Sequence, residues 1–202
     1  MATGGAPTVG VATHVTDITD LLWFEDLTDV HLVLHSYAGI LAGPIADIAE
    51  GRLASVIYLA AFVTGPGQSL LDVEPPETAR RYRELAERAG DGWFLPAEAR
   101  FLDQWGITDA SLRARVGARL TAFPLRCQTE PTDFTPAALE RIRKVYIGHT
   151  DPPLPSLTRF MDAARSAGWE THQMTCGHDM MLADPAATAA LLAAVAAGPP
   201  PA

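Results

Sequence analysis

The chain has 202 residues, of which 48% are hydrophobic and 19% are charged, and its formal net charge is -9. This length favours one domain with a buried core, and the composition excludes a disordered chain. The negative charge argues against a nucleic-acid partner and against an anionic membrane surface, and no apolar run reaches the roughly 18 residues of a membrane-spanning helix. The expected partner is therefore a small-molecule substrate or another protein.

The sequence contains two cysteines, Cys127 and Cys176, which lack the spacing of a metal or redox motif. The chain does not start with the basic and then apolar pattern of a secretory leader, so we expect a reduced, cytoplasmic protein. No glycine-rich phosphate loop follows a predicted strand, and no set of His, Asp or Glu residues has metal-ligand spacing. We therefore expect no cofactor and no metal site.

The first part of the chain predicts a strand between two helices. Residues 1–12 are rich in Gly, Ala, Thr and Pro and are expected to form a flexible tail. A helix is predicted from Thr13 or Thr16 to residues 25–26, and a strand from Val30 to Leu34 leads into a sharp turn and a second helix at 39–50. Residues 53–63 are apolar almost throughout, which is typical of a strand that is covered on both faces of a parallel sheet.

Residues 68–140 are more polar and hold most of the arginines. Helices are predicted at 76–89 and at 111–121, and prolines interrupt the later part of this segment. We interpret residues 68–140 as an inserted helical cap. Its aromatic residues could attach the cap to the rest of the domain or line a pocket. They are Trp93, Phe94, Phe101, Trp105 and Phe123.

The last part of the chain returns to alternating strands and helices. Strands are predicted at 143–149 and 169–175, and helices at 156–167 and 185–197. The alternation indicates an α/β fold in which helices cover both faces of a parallel sheet. Residues 13–67 and 141–198 are predicted to form this core.

Three residues with catalytic chemistry follow predicted strands, namely Ser36, Asp151 and His178. The carboxyl ends of parallel strands meet at one edge of the sheet, so these side chains are expected to lie close together. A serine hydroxyl is a weak nucleophile unless an imidazole removes its proton, and the imidazole needs a carboxylate to fix its tautomer. The order Ser, Asp, His therefore predicts a catalytic triad.

Three stretches also resemble a known family. They are HSYAG at 35–39, ASVIYLAAFVTGPGQSLLD at 54–72 and CGHDMMLADP at 176–185. Together they are similar to the α/β-hydrolase branch that contains plant hydroxynitrile lyases, plant methylesterases and bacterial esterase-like relatives. The resemblance implies an α/β-hydrolase fold with a cap, in which Ser36 is the nucleophile, His178 the general base and Asp151 the acid. Asp72 and Asp133 are the alternative acids.

Two departures from the family pattern concern the nucleophile. The G-x-S-x-G motif has Leu34 and Ala38 in its glycine positions. The family's early strand and His-Gly-x-x-x loop, which supply half of the oxyanion hole, have no counterpart here, so the Tyr37 N–H is the remaining predicted donor. The fold is thus expected to lack its N-terminal strands. A bare edge at strand 30–34 predicts self-association into a homo-oligomer.

The favoured function is a serine esterase that acts on a small ester or acyl substrate. One alternative is a small-molecule binding protein of the same fold with weak or lost catalysis, which the missing oxyanion loop motivates. Another is a cyanohydrin-type lyase, although those lyases use a lysine after the histidine, where this chain has Asp179. A third is a fragment whose true start codon lies upstream.

Overall fold

The structure is a computed structural model that describes residues 6–198. Two 3₁₀ segments, Ser36–Leu41 and Glu50–Arg52, accompany the main elements. In chain order these elements are α1 (Val11–Phe24), β1 (Val30–His35), α2 (Ala42–Ala49), β2 (Leu53–Leu59), α3 (Pro76–Ala89), β3 (Phe94–Leu95), α4 (Arg100–Gln104), α5 (Ala110–Gly117), β4 (Phe123–Pro124), α6 (Arg126–Thr129), α7 (Pro136–Arg141), β5 (Arg143–His149), α8 (Pro155–Ser166), β6 (Glu170–Met174), α9 (Met180–Ala183) and α10 (Pro185–Ala197).

The centre of the fold is a four-stranded parallel sheet in the order β1-β2-β5-β6. The two inner strands, β2 and β5, are apolar and almost completely buried, as expected for strands with neighbours on both sides. Side chains from α1, α2, α8 and α10 join the same hydrophobic cluster as these strands. The parallel arrangement brings the carboxyl ends of all four strands to one edge of the sheet.

β1 is an edge strand, because within residues 6–198 it pairs with β2 alone. Val33 on this strand is 39% exposed, and Phe24 at the end of α1 is 85% exposed. This edge therefore keeps unpaired backbone groups together with apolar side chains.

The segment between β2 and β5 contributes no strand to the main sheet. It contains α3 to α7 and the short antiparallel pair β3–β4. Leu85, Ala86 and Leu95 form a small hydrophobic cluster of their own in this segment. The predicted boundaries of the cap, 68–140, fall within this stretch, and this division stays a prediction.

Several predicted elements match the structure, and the differences have local causes. The helix predicted at 13 begins at Val11, so the predicted tail is shorter, and residues 1–5 lie outside the described residues. The strand predicted to reach residue 63 ends at Leu59, because the following residues turn towards the end of β1, where the Phe62 N–H donates to Ser36 O at 3.1 Å. Pro44 lies in the first turn of α2, where it costs no backbone hydrogen bond.

The chain between residues 6 and 198 contains no helix that combines the length and the apolar character needed to cross a membrane.

Candidate active site

The turn after β1 holds Ser36 in a strained backbone conformation. Ser36 has a φ of 54°, in the left-handed region that residues with a Cβ rarely adopt. Its carbonyl accepts the hydrogen bond from Phe62 N–H, which ties the turn to the end of β2. Leu34, which stands where the motif has glycine, is buried in the main hydrophobic cluster. Leucine at this position is therefore compatible with the turn of a nucleophile elbow.

Gly39 makes room for the close approach of two chain segments at this turn. A Cβ at Gly39 would lie 2.2 Å from the carbonyl oxygen of Phe62 and 2.8 Å from Cβ of Ala61. These distances are shorter than any non-bonded contact that packing tolerates. The glycine required by the elbow is thus Gly39, one position after the motif's usual place at Ala38.

His178 lies in the loop between β6 and α9, and its side chain reaches Ser36. The distance from His178 Nε2 to Ser36 Oγ is 2.9 Å, which is a hydrogen bond. The His178 N–H donates to Trp105 O at 3.0 Å, so the loop is fastened to the segment between β2 and β5. Gly177 allows this contact, because a Cβ there would lie 2.5 Å from Trp105 O. The predicted pairing of Ser36 with His178 is therefore present in the geometry.

Two further histidines pack against the His178 ring. The ring centroids of His35 and His149 lie 4.6 and 5.2 Å from that of His178, and His35 Nε2 donates to His178 O at 3.1 Å. Burial, with smaller effects of the neighbouring His35 and His149, lowers the pKa of His178 to about 2. His178 is therefore neutral at pH 7, which is the form that a general base requires.

The other ring nitrogen of His178 has no partner. When the Ser36 hydroxyl donates to Nε2, the neutral ring carries its proton on Nδ1. This Nδ1 is buried, and no hydrogen-bond acceptor in residues 6–198 reaches it. An unpaired buried donor is costly, so this atom marks the place where an orienting acceptor is needed.

The structure does not bring Asp151 to His178. The Asp151 residue is exposed in the loop after β5, and its carboxylate has no hydrogen-bond or ion-pair partner among the described residues. Its backbone N–H donates to Cys176 O at 3.1 Å, so the loops that carry Asp151 and His178 are joined through the main chain. The alternative acids lie elsewhere, since Asp72 is exposed and bonded to Ser69, and Asp133 is exposed.

Tyr37 follows Ser36, and its side chain anchors the turn to α1. The Tyr37 hydroxyl is 3.0 Å from His14 Nδ1, and its ring packs edge-on against Phe123 at 5.1 Å between centroids. Burial, with smaller effects of Cys127 and Glu130, raises the pKa of Tyr37, so the phenol stays neutral. Its fixed position holds the backbone N–H, the predicted oxyanion donor, directly after Ser36.

A cavity of about 370 Å³ opens onto the Ser36–His178 pair. Most of its wall is apolar or aromatic, and residues 68–140 supply much of it, including three of the five aromatic residues named from the sequence. The cap-segment aromatic side chains in the wall are Tyr82, Phe101, Trp105 and Phe123. The volume and lining suit a small, largely apolar ligand. Among residues 6–198 no group of three or more His, Cys, Asp or Glu side chains is placed to hold a metal ion.

Comparison with known proteins agrees with this arrangement. The alpha/beta hydrolase family matches residues 3–191 of the sequence. The chain belongs to the alpha/beta hydrolase family. This confirms the fold class predicted from the order of strands, helices and catalytic residues.

Individual relatives are similar over most of the chain. A carbendazim hydrolyzing esterase of Nocardioides sp. (strain SG-4G) is 28% identical over 200 residues, which cover 93% of this chain and 79% of that protein. An extracellular alpha/beta-hydrolase from a Paenibacillus species, described as sharing structural and functional homology with tobacco salicylic acid binding protein 2, has a TM-score of 0.83 at 17% identity, covering 96% of this chain and 83% of that one. Tomato methylketone synthase I has a TM-score of 0.71 at 14% identity, covering 93% and 79%. These structures share the alpha/beta-hydrolase fold with this chain.

Sequence reasoning placed Ser36 and His178 but missed part of their surroundings. The burial of His149 against His178 and the fastening of His178 to Trp105 O join segments that are far apart in the chain. One signal in the sequence could have indicated this packing. His149 and His35 are the last residues of β5 and β1, so they lie at the same sheet edge as Ser36. The predicted cytoplasmic location stays a prediction.

Proposed function

We propose that this chain is a serine esterase that cleaves small, largely apolar esters with Ser36 as nucleophile and His178 as general base. The observation that carries the proposal is the 2.9 Å contact between Ser36 Oγ and His178 Nε2 at a cavity of about 370 Å³. The relative from Nocardioides is named as an esterase, which supports ester chemistry in a chain of this sequence.

The reaction follows from the two side chains. Ser36 Oγ attacks the ester carbonyl carbon while His178 Nε2 takes the hydroxyl proton, and the same proton then goes to the departing alkoxide. This leaves an acyl group on Ser36 and releases an alcohol. A water molecule, deprotonated by His178, then attacks the acyl carbon. The bond from that carbon to Ser36 Oγ breaks, His178 returns the proton to Oγ, and the acid is released. The Tyr37 backbone N–H is the proposed donor to the oxyanion that forms in both steps.

We further propose Asp151 as the acceptor that orients His178 during turnover. The buried, unpartnered Nδ1 of His178 needs an acceptor, and the Asp151 carboxylate is not engaged elsewhere. The hydrogen bond from Asp151 N–H to Cys176 O keeps its loop next to the His178 loop, so a rotation of the carboxylate is a local change. A carboxylate on Nδ1 would stabilise the imidazolium that forms when Ser36 loses its proton.

The proposal is tested by labelling the protein with a fluorophosphonate and locating the added mass by peptide mass spectrometry. We expect the label on Ser36, complete loss of labelling in Ser36→Ala, and full labelling in the control Ser111→Ala, which changes an exposed serine on α5. Hydrolysis of 4-nitrophenyl acetate should fall by a factor on the order of 10⁴ or more in Ser36→Ala.

The competing function is a binding protein of the same fold with little catalysis. No carboxylate among residues 6–198 is bonded to His178 Nδ1, which favours this alternative. A protein that gives a folded circular-dichroism spectrum, takes up no fluorophosphonate and hydrolyses no 4-nitrophenyl ester would establish this alternative and reject the esterase.

A further inference from the structure

His35, the last residue of β1, contacts the main chain of His178 as well as its ring. The His35 Nε2 donates to His178 O at 3.1 Å, and the two ring centroids lie 4.6 Å apart. Ser36, the next residue along the chain, lies with its Oγ 2.9 Å from Nε2 of the same histidine. Two consecutive residues therefore hold His178, one at its carbonyl oxygen and the other at its ring. The catalytic steps described above give His35 no role.

The main chain of His178 is hydrogen-bonded at both of its polar groups. Its N–H donates to Trp105 O at 3.0 Å, and its carbonyl accepts from His35. A triad histidine is ordinarily oriented by an acceptor at Nδ1, and no such acceptor reaches His178 among residues 6–198. In the free protein the orientation of the His178 ring therefore depends on its contact with Ser36, on these two main-chain bonds and on the packing of neighbouring rings.

The hydrogen bond to His178 requires one particular form of the His35 ring. A carbonyl oxygen only accepts, so the His35 Nε2 carries a proton. Burial lowers the pKa of His35, and this outweighs the raising effects of Asp179 and of the bond to His178 O. His35 is therefore neutral at pH 7. A neutral ring here is compatible with the imidazolium that His178 forms in the proposed reaction, whereas a charged ring at this distance would oppose it.

Asp179 lies close to the same nitrogen of His35 but is not its main partner. The Asp179 Oδ1 is 3.8 Å from His35 Nε2, which is longer than a hydrogen bond, whereas the His178 carbonyl is within hydrogen-bond distance. Asp179 directly follows His178, so His35 faces two consecutive groups of the loop between β6 and α9. The contact thus joins the end of the strand that carries Ser36 to the loop that carries its base.

We propose that His35 is a positioning residue, which keeps the His178 ring aligned with Ser36 Oγ by binding the His178 carbonyl. This inference rests on the proposed function, because alignment matters for the transfer of the Ser36 proton. A displacement of about 1 Å in a catalytic group can lower the rate about a hundredfold. The cavity wall, as far as residues 6–198 form it, does not include His35. Loss of His35 should therefore act on kcat and leave KM nearly unchanged, since His178 serves both acylation and deacylation.

Steady-state hydrolysis of 4-nitrophenyl acetate by three variants tests the proposal. His35→Leu removes the donor and should lower kcat by about 30- to 100-fold, with KM within about threefold. His35→Gln retains an N–H donor at a similar reach and should keep kcat within about fivefold of the wild-type value. The matched control is His31→Leu, which removes a histidine of the same strand whose Nδ1 lies 2.8 Å from Ser55 Oγ. It should leave kcat within about twofold.

Nitrogen NMR of the histidine rings tests the contact itself without any need for turnover. The chain has six histidines, and the signals of His35 are those that disappear in His35→Gln. We expect the wild-type His35 ring to be neutral and protonated at Nε2 at pH 7. The ring signals of His178 should shift in His35→Leu and stay unchanged in His31→Leu. Thermal unfolding shows whether each variant is folded.

A neutral His35 ring that is protonated at Nδ1 would overturn the inference, because the His178 carbonyl would then receive no donor. A folded His35→Leu variant with kcat within about threefold of the wild-type value would also overturn it, as would an equal loss of kcat in His35→Gln. If His35→Leu does not fold, the protonation site of His35 in the wild-type protein decides. Failure of the fluorophosphonate to label Ser36 would reject the esterase, while the NMR signals would still report whether His35 holds His178. The two proposals therefore fail separately.

Discussion

The turn after β1 and the loop after β5 lie at the same edge of the sheet but are held very differently. The Ser36 turn is bonded to the end of β2 through Phe62 N–H, closely packed at Gly39, and in contact with His178 Nε2. The loop after β5 holds Asp151 through its backbone N–H, while its carboxylate has no partner among the described residues. His178 is therefore fixed at Nε2 by Ser36, while its Nδ1 has no acceptor among the described residues. In the proposed mechanism, a free protein built in this way is prepared for attack by Ser36, and it needs a further contact at Nδ1 to stabilise the charged imidazole.

Among the changes that test this difference between the two loops, removal of the Asp151 carboxylate is expected to have the largest effect. Asp151→Asn should lower kcat for 4-nitrophenyl acetate by a factor on the order of 10³, because an amide cannot stabilise the imidazolium and favours the wrong tautomer. The measurement is steady-state kinetics on protein with an unchanged circular-dichroism spectrum.

His149 provides the matched control for Asp151, because its Nε2 is also buried without a partner and its ring lies against His178. His149→Asn is expected to lower kcat by less than about tenfold. The reverse pattern, with a large loss in His149→Asn and a small one in Asp151→Asn, would show that His149 holds Nδ1 and that Asp151 has no part in the reaction.

The next effect concerns the packing of the nucleophile turn. Gly39→Ala places a Cβ 2.2 Å from Phe62 O, so the turn must open, and we expect the free energy of unfolding to fall by about 1–3 kcal/mol, with a loss of esterase activity. Gly51→Ala is the control, since a Cβ there has no atom within 4 Å. Chemical denaturation measures both, and equal stabilities for the two variants would show that the turn accommodates a side chain.

The dependence of the rate on pH tests whether a carboxylate contacts His178 in the free protein or only after substrate has bound. A general base is inactive below its pKa, and burial with His35 and His149 lowers the pKa of His178 in the free protein far below its ordinary value of 6.5. We therefore expect that kcat/KM, which reports the free enzyme, does not decrease through protonation of His178 between pH 7 and pH 5. For kcat, which reports the substrate complex, the decrease on the acid side should begin at higher pH, because a negative Asp151 at Nδ1 raises the pKa of His178.

Asp179 needs a control in this experiment. Burial raises the pKa of Asp179, and its carboxylate is 3.8 Å from His35 Nε2. An Asp179→Asn variant identifies any acid limb that this group contributes. An acid limb near pH 6.5 in both kcat and kcat/KM of this variant would mean that a carboxylate already contacts His178 in the free protein.

The smallest effect is expected at the open edge of β1. The predicted homo-oligomer remains a proposal, supported by the unpaired side of β1 and the exposure of Val33 and Phe24. We expect the mass measured by light scattering to rise with protein concentration, and Val33→Lys to reduce this rise because a lysine on an edge strand opposes strand pairing. Ala114→Lys on α5 adds the same charge at an exposed site away from the edge and should have no effect. A constant monomer mass over a wide concentration range would reject the proposal.

The sequence alone determined the elements that depend on local pattern. Apolar periodicity, proline and flanking polar residues predicted α3, β5 and α10 with the bounds found in the structure. The alternation of strands and helices predicted the parallel sheet, and a parallel sheet places its strand ends at one edge. This is why Ser36 and His178, far apart in the chain, could be paired from sequence.

Tertiary structure alone decided the features that depend on contacts between distant segments. The direction of the Asp151 side chain follows from the loop after β5, which has no periodic pattern to specify it. The burial of Glu74 and Gln128 follows from how residues 68–140 pack in the folded chain, since a single polar residue carries no signal of which cavity it will line. Periodic patterns report which face of an element is buried, because burial repeats along the element. The partner of a single side chain depends on packing between segments, and only the folded chain reveals it.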